Sequence, residues 1–140
     1  MKCPLFFLFC FSTLQTVVSQ EVQLHAIDIQ NQKCHENSIP TTQAAIACET
    51  VAVEAWEQAL YAYHKLLSDE LSATGQKILN DTQKQWEAYF KEELAFYGMY
   101  YNELYEGGTL MRLALITKKK ELLKARAVQL KNDYEAVLDE

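Results

Sequence analysis

The stretch "CETVAVEAWEQALYAYHKLL", residues 48–67, decides the fold class. Val51, Ala55, Ala59, Ala62 and Leu66 recur at spacings of four or three, and a second row of Val53, Trp56, Leu60, Tyr63 and Leu67 runs beside them. That is helical periodicity, and the combined apolar face is broader than a coiled-coil seam, suited to packing against two other helices. After Pro40 there is no further proline and little glycine, so nothing in the chain argues against helix.

Working outward, the first helix is expected to start at Thr41 or Thr42, a threonine serving as N-cap, and to run to about Ser68. "SDELSATG", residues 68–75, breaks the pattern. A second helix is expected from about Gln76 to Tyr105, with Leu79, Thr82, Trp86, Tyr89, Phe90, Leu94, Tyr97, Tyr101 and Leu104 on its inner face. Gly107 and Gly108 end it, because glycine supplies the left-handed backbone of a helix C-terminus. A third runs from about Thr109 to Leu138, with Leu113, Ile116, Leu123, Ala127, Leu130, Tyr134 and Val137 inward and Lys118, Lys119 and Lys120 solvated. The expected fold is therefore all-α: three long helices in an up-down-up antiparallel bundle.

The N-terminus reads differently. Lys2 precedes an apolar run from Pro4 to about Leu14, and Val17 and Ser19 suit the small-residue positions before a cleavage point. This is the grammar of a secretory signal peptide over residues 1–19, too short to span a bilayer. Residues 20–33 are expected to be a loosely ordered lead-in, and residues 34–140 the helical domain. The whole chain carries a net charge of −6; cleavage after Ser19 removes Lys2 as the only charge and leaves −7. Such an acidic chain suits a basic partner and repels the phosphates of nucleic acid.

With Cys3 and Cys10 in the signal, Cys34 and Cys48 are the remaining thiols, fourteen positions apart. A zinc site would need paired ligands that the scattered His25, His35 and His64 do not supply, and a redox pair favours two intervening residues. A structural disulfide in an oxidising compartment is the expectation, folding the lead-in onto helix one, with His35 and Glu36 as loop bystanders. It would close a loop of about fifteen residues, worth roughly 3 kcal/mol. The adjacent acids Asp69–Glu70, Glu92–Glu93 and Asp139–Glu140 point about 100° apart on a helix rather than converging. No nucleophile elbow or phosphate-cradling loop is present in the sequence, so no catalytic residue, metal or cofactor is assigned. The tyrosine-rich run from Tyr89 to Tyr105 exceeds what one buried stripe can absorb, and part of it is a candidate recognition patch.

The spacing of Cys34 and Cys48, followed by "QKQWEAYFKEELAFYGMYYNELYEGGTL" (residues 83–110) and "LLKARAVQL" (residues 122–130), resembles the LprI-type lysozyme-inhibitor family. The matching residues are Cys34, Cys48, Leu60, Gln83, Trp86, Tyr89, Gly107, Gly108, Thr109, Leu122, Arg126 and Leu130. The chain departs from the family pattern at Glu57 and Tyr61, where the family has Asp and Asn, and at Phe90-Lys91, where it has Arg-Asp. Leu123 replaces a threonine, and a second cysteine pair is absent, with Leu94 at one position and the other falling near Lys118. The resemblance implies a helical binding module that inhibits a lysozyme, in the secreted or periplasmic space, and no enzyme activity. The alternative from a different class is an envelope component that binds other proteins without inhibiting. Candidate partner contacts are the 34–40 loop, the Glu106–Thr109 turn and the end of helix two, with Tyr97, Tyr100, Tyr101, Tyr105 and Glu106.

Overall fold

A computed structural model describes residues 25–139 as four α-helices. The expected signal peptide, its cleavage at Ser19 and the first part of the lead-in lie outside the described residues. The helices are α1 (Ala26–Asn37), α2 (Thr42–Glu70), α3 (Ala73–Tyr105) and α4 (Gly108–Leu138). The three long ones fall where the periodicity puts them.

Their ends follow local chemistry. Thr41 caps α2, its hydroxyl accepting from the Ala44 amide, and Ser72 caps α3 by accepting from Gly75. At the far end of α3 the left-handed turn begins one residue before the glycine pair. Glu106 has φ 52°, followed by Gly107 at 79° and Gly108 at 81°. Three consecutive positive φ values reverse the chain almost without a loop.

α2 and α4 form the core pair and run parallel, since Glu49 meets Lys120 and Trp56 lies beneath Lys124 further along both helices. α3 runs antiparallel to α4, with Gln83 against Arg126 and Tyr97 against Lys118. The long helices are therefore up-down-up. Val53, Trp56, Leu60 and Leu67 from α2 and Leu123, Ala127 and Leu130 from α4 make the buried cluster. These are mostly residues of the second row on α2. The first row behaves otherwise: Val51 and Leu66 are exposed. The reason is that α3 packs mainly on α4 and touches α2 only sparingly, so α2 does not have two long neighbours. On α3, Thr82, Tyr89 and Leu104 likewise face solvent, as does Val137 on α4.

The fourth helix is the main correction. The expected loosely ordered lead-in is helical from Ala26 and lies antiparallel along α2, with His25 against Trp56 and Cys34 bonded to Cys48. None of its residues is buried. Weak apolar periodicity in AIDIQNQKCHEN concealed it: Ile27 packs against the core cluster, and the rest of α1 is held by polar contacts and by the disulfide.

Candidate functional site

Three groups of side chains carry the features the sequence singled out, and they sit in different places. The first is the junction of α1, α2 and α4. The Cys34–Cys48 disulfide is formed, with Cα atoms 5.7 Å apart. Beside it, His35 Nε2 lies 2.8 Å from Glu49 Oε1, so His35 is a partner of α2 and not a loop bystander. Lys120 Nζ stands 2.7 Å from Glu49 Oε2, and Lys120 also donates to Asn31 Oδ1 at 3.1 Å. Asn31 in turn donates to the Cys48 carbonyl, and Lys124 pairs with Asp28 at 2.9 Å. The lysine triplet expected to be solvated is therefore divided: Lys120 turns inward, and Lys118 lies 4.5 Å above the Tyr97 ring.

Glu49 is buried, and burial alone would push its carboxyl up. The hydrogen bonds from Lys120 and His35, the Lys120 charge and the Asn31 amide outweigh that, holding it below the ordinary carboxylate range. It is a buried, ionised carboxylate with His35 at one oxygen and Lys120 at the other, which suits a fastener between helices. Among the described residues, no three of His, Cys, Asp and Glu gather closely enough to hold a metal ion.

The second group joins the residues that carry the family resemblance on α3 and α4. Arg126, buried on α4, donates from Nε to Gln83 Oε1 at 3.1 Å and from Nη1 to Gln129 Oε1 at 3.0 Å. Gln83 is the one buried residue of α3 and passes the contact on to Glu87 through Nε2 at 3.2 Å. The Trp86 ring lies 5.9 Å from the guanidinium and stacks on Phe90. Leu60 and Leu130 are in the core, Leu122 is half-buried, and Gly107 and Gly108 form the turn with Thr109 exposed behind them. Tyr89 is the exception: it faces outward and donates its hydroxyl to Glu93 at 2.6 Å. Leu94 lines an open groove of about 250 Å³ with Arg112, Leu115, Ile116 and Lys119. Apolar packing links α3 and α4 there.

The third group is the aromatic end of α3. Tyr97 and Tyr101 are half-buried towards α4, with rings 5.4 Å apart. Tyr100 and Tyr105 are exposed, and Tyr105 follows Tyr101 at 6.0 Å. Glu106 is exposed in the turn, where its backbone conformation closes α3. Four of the five candidate contacts thus divide between two sides of α3, and Glu106 lies in the turn beyond it. Phe96 and Met99, which the sequence leaves open within the aromatic run, are exposed, and so is Tyr89, expected on the inner face. The signal for the inward pair was the presence of Leu94, Tyr97 and Tyr101 at spacings of three and four.

No curated protein and no solved structure matches this chain. Among the described residues no helix is long and apolar enough to cross a membrane. The profile of the family described as lysozyme inhibitor LprI matches residues 34–130, from the first cysteine of the disulfide to the last buried leucine of α4. That span takes in the fastened end of α1, all of α2 and α3, and most of α4, and it makes this chain a member of the LprI lysozyme inhibitor family.

Proposed function

We propose that the mature chain binds a lysozyme and inhibits it by covering the muramidase's substrate cleft, acting as a secreted or periplasmic protein. The observation that carries this reading is the family match over residues 34–130. The acidic balance supports it, because a net charge of −6 over the whole chain steers it towards strongly basic lysozymes. The disulfide supports the location, since such a bond persists outside the reducing cytosol. Inhibition of this kind asks for a rigid surface and no catalytic group of its own, which a helical bundle clipped by a disulfide can provide.

The test is turbidity clearance of a cell-wall suspension by c-type, g-type and bacterial muramidases, with the chain from Gln20 added in micromolar excess. Slowed clearance by at least one of them is the expected result. Unchanged clearance by all of them would sink the inhibitor reading. The outward aromatics of α3 favour a second reading, a protein-interaction component of the envelope without inhibitory action. In that case envelope extract yields a specific partner although no muramidase is slowed.

A further inference from the structure

α3 presents to solvent a stripe that none of the described residues covers. Tyr89, Glu93, Phe96, Tyr100 and Glu103 follow one another at spacings of four, three, four and three, with Glu92 and Met99 beside them. Those spacings place all seven on one side of the helix, as in the seam of a coiled coil. The exposures agree: Tyr89 is 50%, Phe96 51%, Met99 57% and Tyr100 44% exposed. The rings of Phe96 and Tyr100 lie nearly parallel, 8° apart, with centroids at 6.1 Å, making one flat aromatic step.

The opposite side of α3 is accounted for. Gln83, Trp86, Phe90, Leu94, Tyr97 and Tyr101 turn towards the bundle. The outer aromatics contribute nothing to the core, yet exposed rings in sequence are costly to solubility unless something covers them.

The charges on the stripe have one sign. Glu92, Glu93 and Glu103 alternate with the rings, and no lysine or arginine stands at a stripe position. Lys91 is the only base between Tyr89 and Glu103, and it lies on another side of the helix. An aromatic ladder edged by carboxylates is complementary to a surface of arginine and lysine, whose cations pair with the acids and stack on the ring faces. A second copy of the same stripe would set glutamate against glutamate, and an anionic membrane would meet the same repulsion.

We infer that the outer stripe of α3, centred on Phe96 and Tyr100 and edged by Glu92, Glu93 and Glu103, is the docking face for a basic protein. It deepens the lysozyme-binding reading and rests on it for the class of partner. Tyr89, Phe96 and Tyr100 supply the apolar contact area, and the glutamates set the encounter rate and orientation.

The experiment measures binding of the chain from Gln20, by surface plasmon resonance over a series of salt concentrations. The immobilised probes are c-type lysozyme, g-type lysozyme and cytochrome c, a basic protein that is no muramidase. The wild type is expected to bind at least one probe, more weakly as salt rises. Phe96→Ala with Tyr100→Ala lowers that affinity by at least about tenfold. Glu92→Gln, Glu93→Gln and Glu103→Gln together lower it and flatten its salt dependence, while Val51→Ala, an exposed site on α2, leaves it unchanged. These side chains are exposed apart from the half-buried Glu93, so matching thermal melts serve as the folding control, and the glutamine variant tests the face independently of the aromatic one.

Stripe variants that bind and inhibit like wild type overturn this inference and leave the inhibitor reading standing. Stripe-dependent binding to cytochrome c, with no muramidase bound or slowed, supports the face and overturns the inhibitor reading. Binding to none of the probes overturns the face as a site for basic proteins. So does a wild-type dimer by sedimentation that Phe96→Ala with Tyr100→Ala dissolves, or stripe-dependent binding to phosphatidylglycerol vesicles.

Discussion

Gly98 and Glu106 show at single residues how far conformation and packing can be separated. Gly98 reads in the sequence either as a close helix approach or as a weak point in α3. A Cβ placed there would meet nothing nearer than Leu115 Cδ2, at 4.0 Å, so the weak-point reading holds. Gly98→Ala should therefore stabilise the protein by about 0.5–1 kcal/mol, the helix-propensity difference, and raise the midpoint of thermal or urea unfolding. Glu106 is the reverse case, a side chain held at φ 52° where glycine is at ease. Glu106→Gly should stabilise by up to about 1 kcal/mol in the same assay, by relieving left-handed strain at the end of α3. The glycine pair was legible as a turn; that the turn borrows the preceding glutamate was not, because no residue type announces it.

At the scale of the element, α1 and α2 explain what the sequence could disclose. The inner row of α2 was legible because burial of Val53, Trp56, Leu60 and Leu67 follows the 3.6-residue period. The outer row has the same period and a different fate, since periodicity states that a face is apolar and leaves open whether a neighbour reaches it. α1 escaped notice because its fastening is distributed over Asp28, Asn31, Cys34 and His35, and their partners Lys124, Lys120, Cys48 and Glu49 lie far away in sequence. Pairing of that kind has no spacing to read. With no buried residue of its own, α1 should depend on the covalent clip. Reduction, or Cys34→Ser with Cys48→Ser, should lower global stability by roughly 3 kcal/mol. In hydrogen exchange, amides of residues 26–37 should become the least protected, opening locally, while those of α2 and α4 around Trp56 and Ala127 stay the slowest and fall only with the global stability. Equal protection in oxidised and reduced protein would show that the polar contacts and Ile27 hold the strap without the disulfide. α3 has its own pin: Gln83→Leu would leave the buried Arg126 Nε without its acceptor, and a loss of about 2–4 kcal/mol is expected.

For the molecule as a whole, the buried charges make stability fall towards acid in two distinguishable steps. His64 on α2 is partly buried, and burial together with the nearby Arg126 charge holds its imidazole below the ordinary value of 6.5, against a smaller opposing pull from Glu87. Above 6.5 folded and unfolded chains are both neutral there and the group contributes nothing. As pH falls below 6.5 the unfolded chain takes up the proton first, so unfolding becomes easier. Glu49 acts lower and with the same sign. Its folded carboxyl lies below the ordinary 4.5 despite burial, through Lys120, His35 and Asn31. The stability it contributes is complete above 4.5 and is lost as pH drops through its folded value. Urea unfolding between about pH 7.5 and 5.5 should thus show a decline that His64→Asn removes, because Asn cannot take up the proton that favours the unfolded chain. A steeper decline below about pH 4.5 should persist in that variant and shrink in Glu49→Gln, whose neutral amide has no proton to gain. The Gln variant should also start from a lower plateau at neutral pH, since the half-buried Lys120 is left without its counter-charge. If His64→Asn follows the wild-type curve throughout, the upper step belongs to other groups and the junction of α1, α2 and α4 alone governs the acid limb.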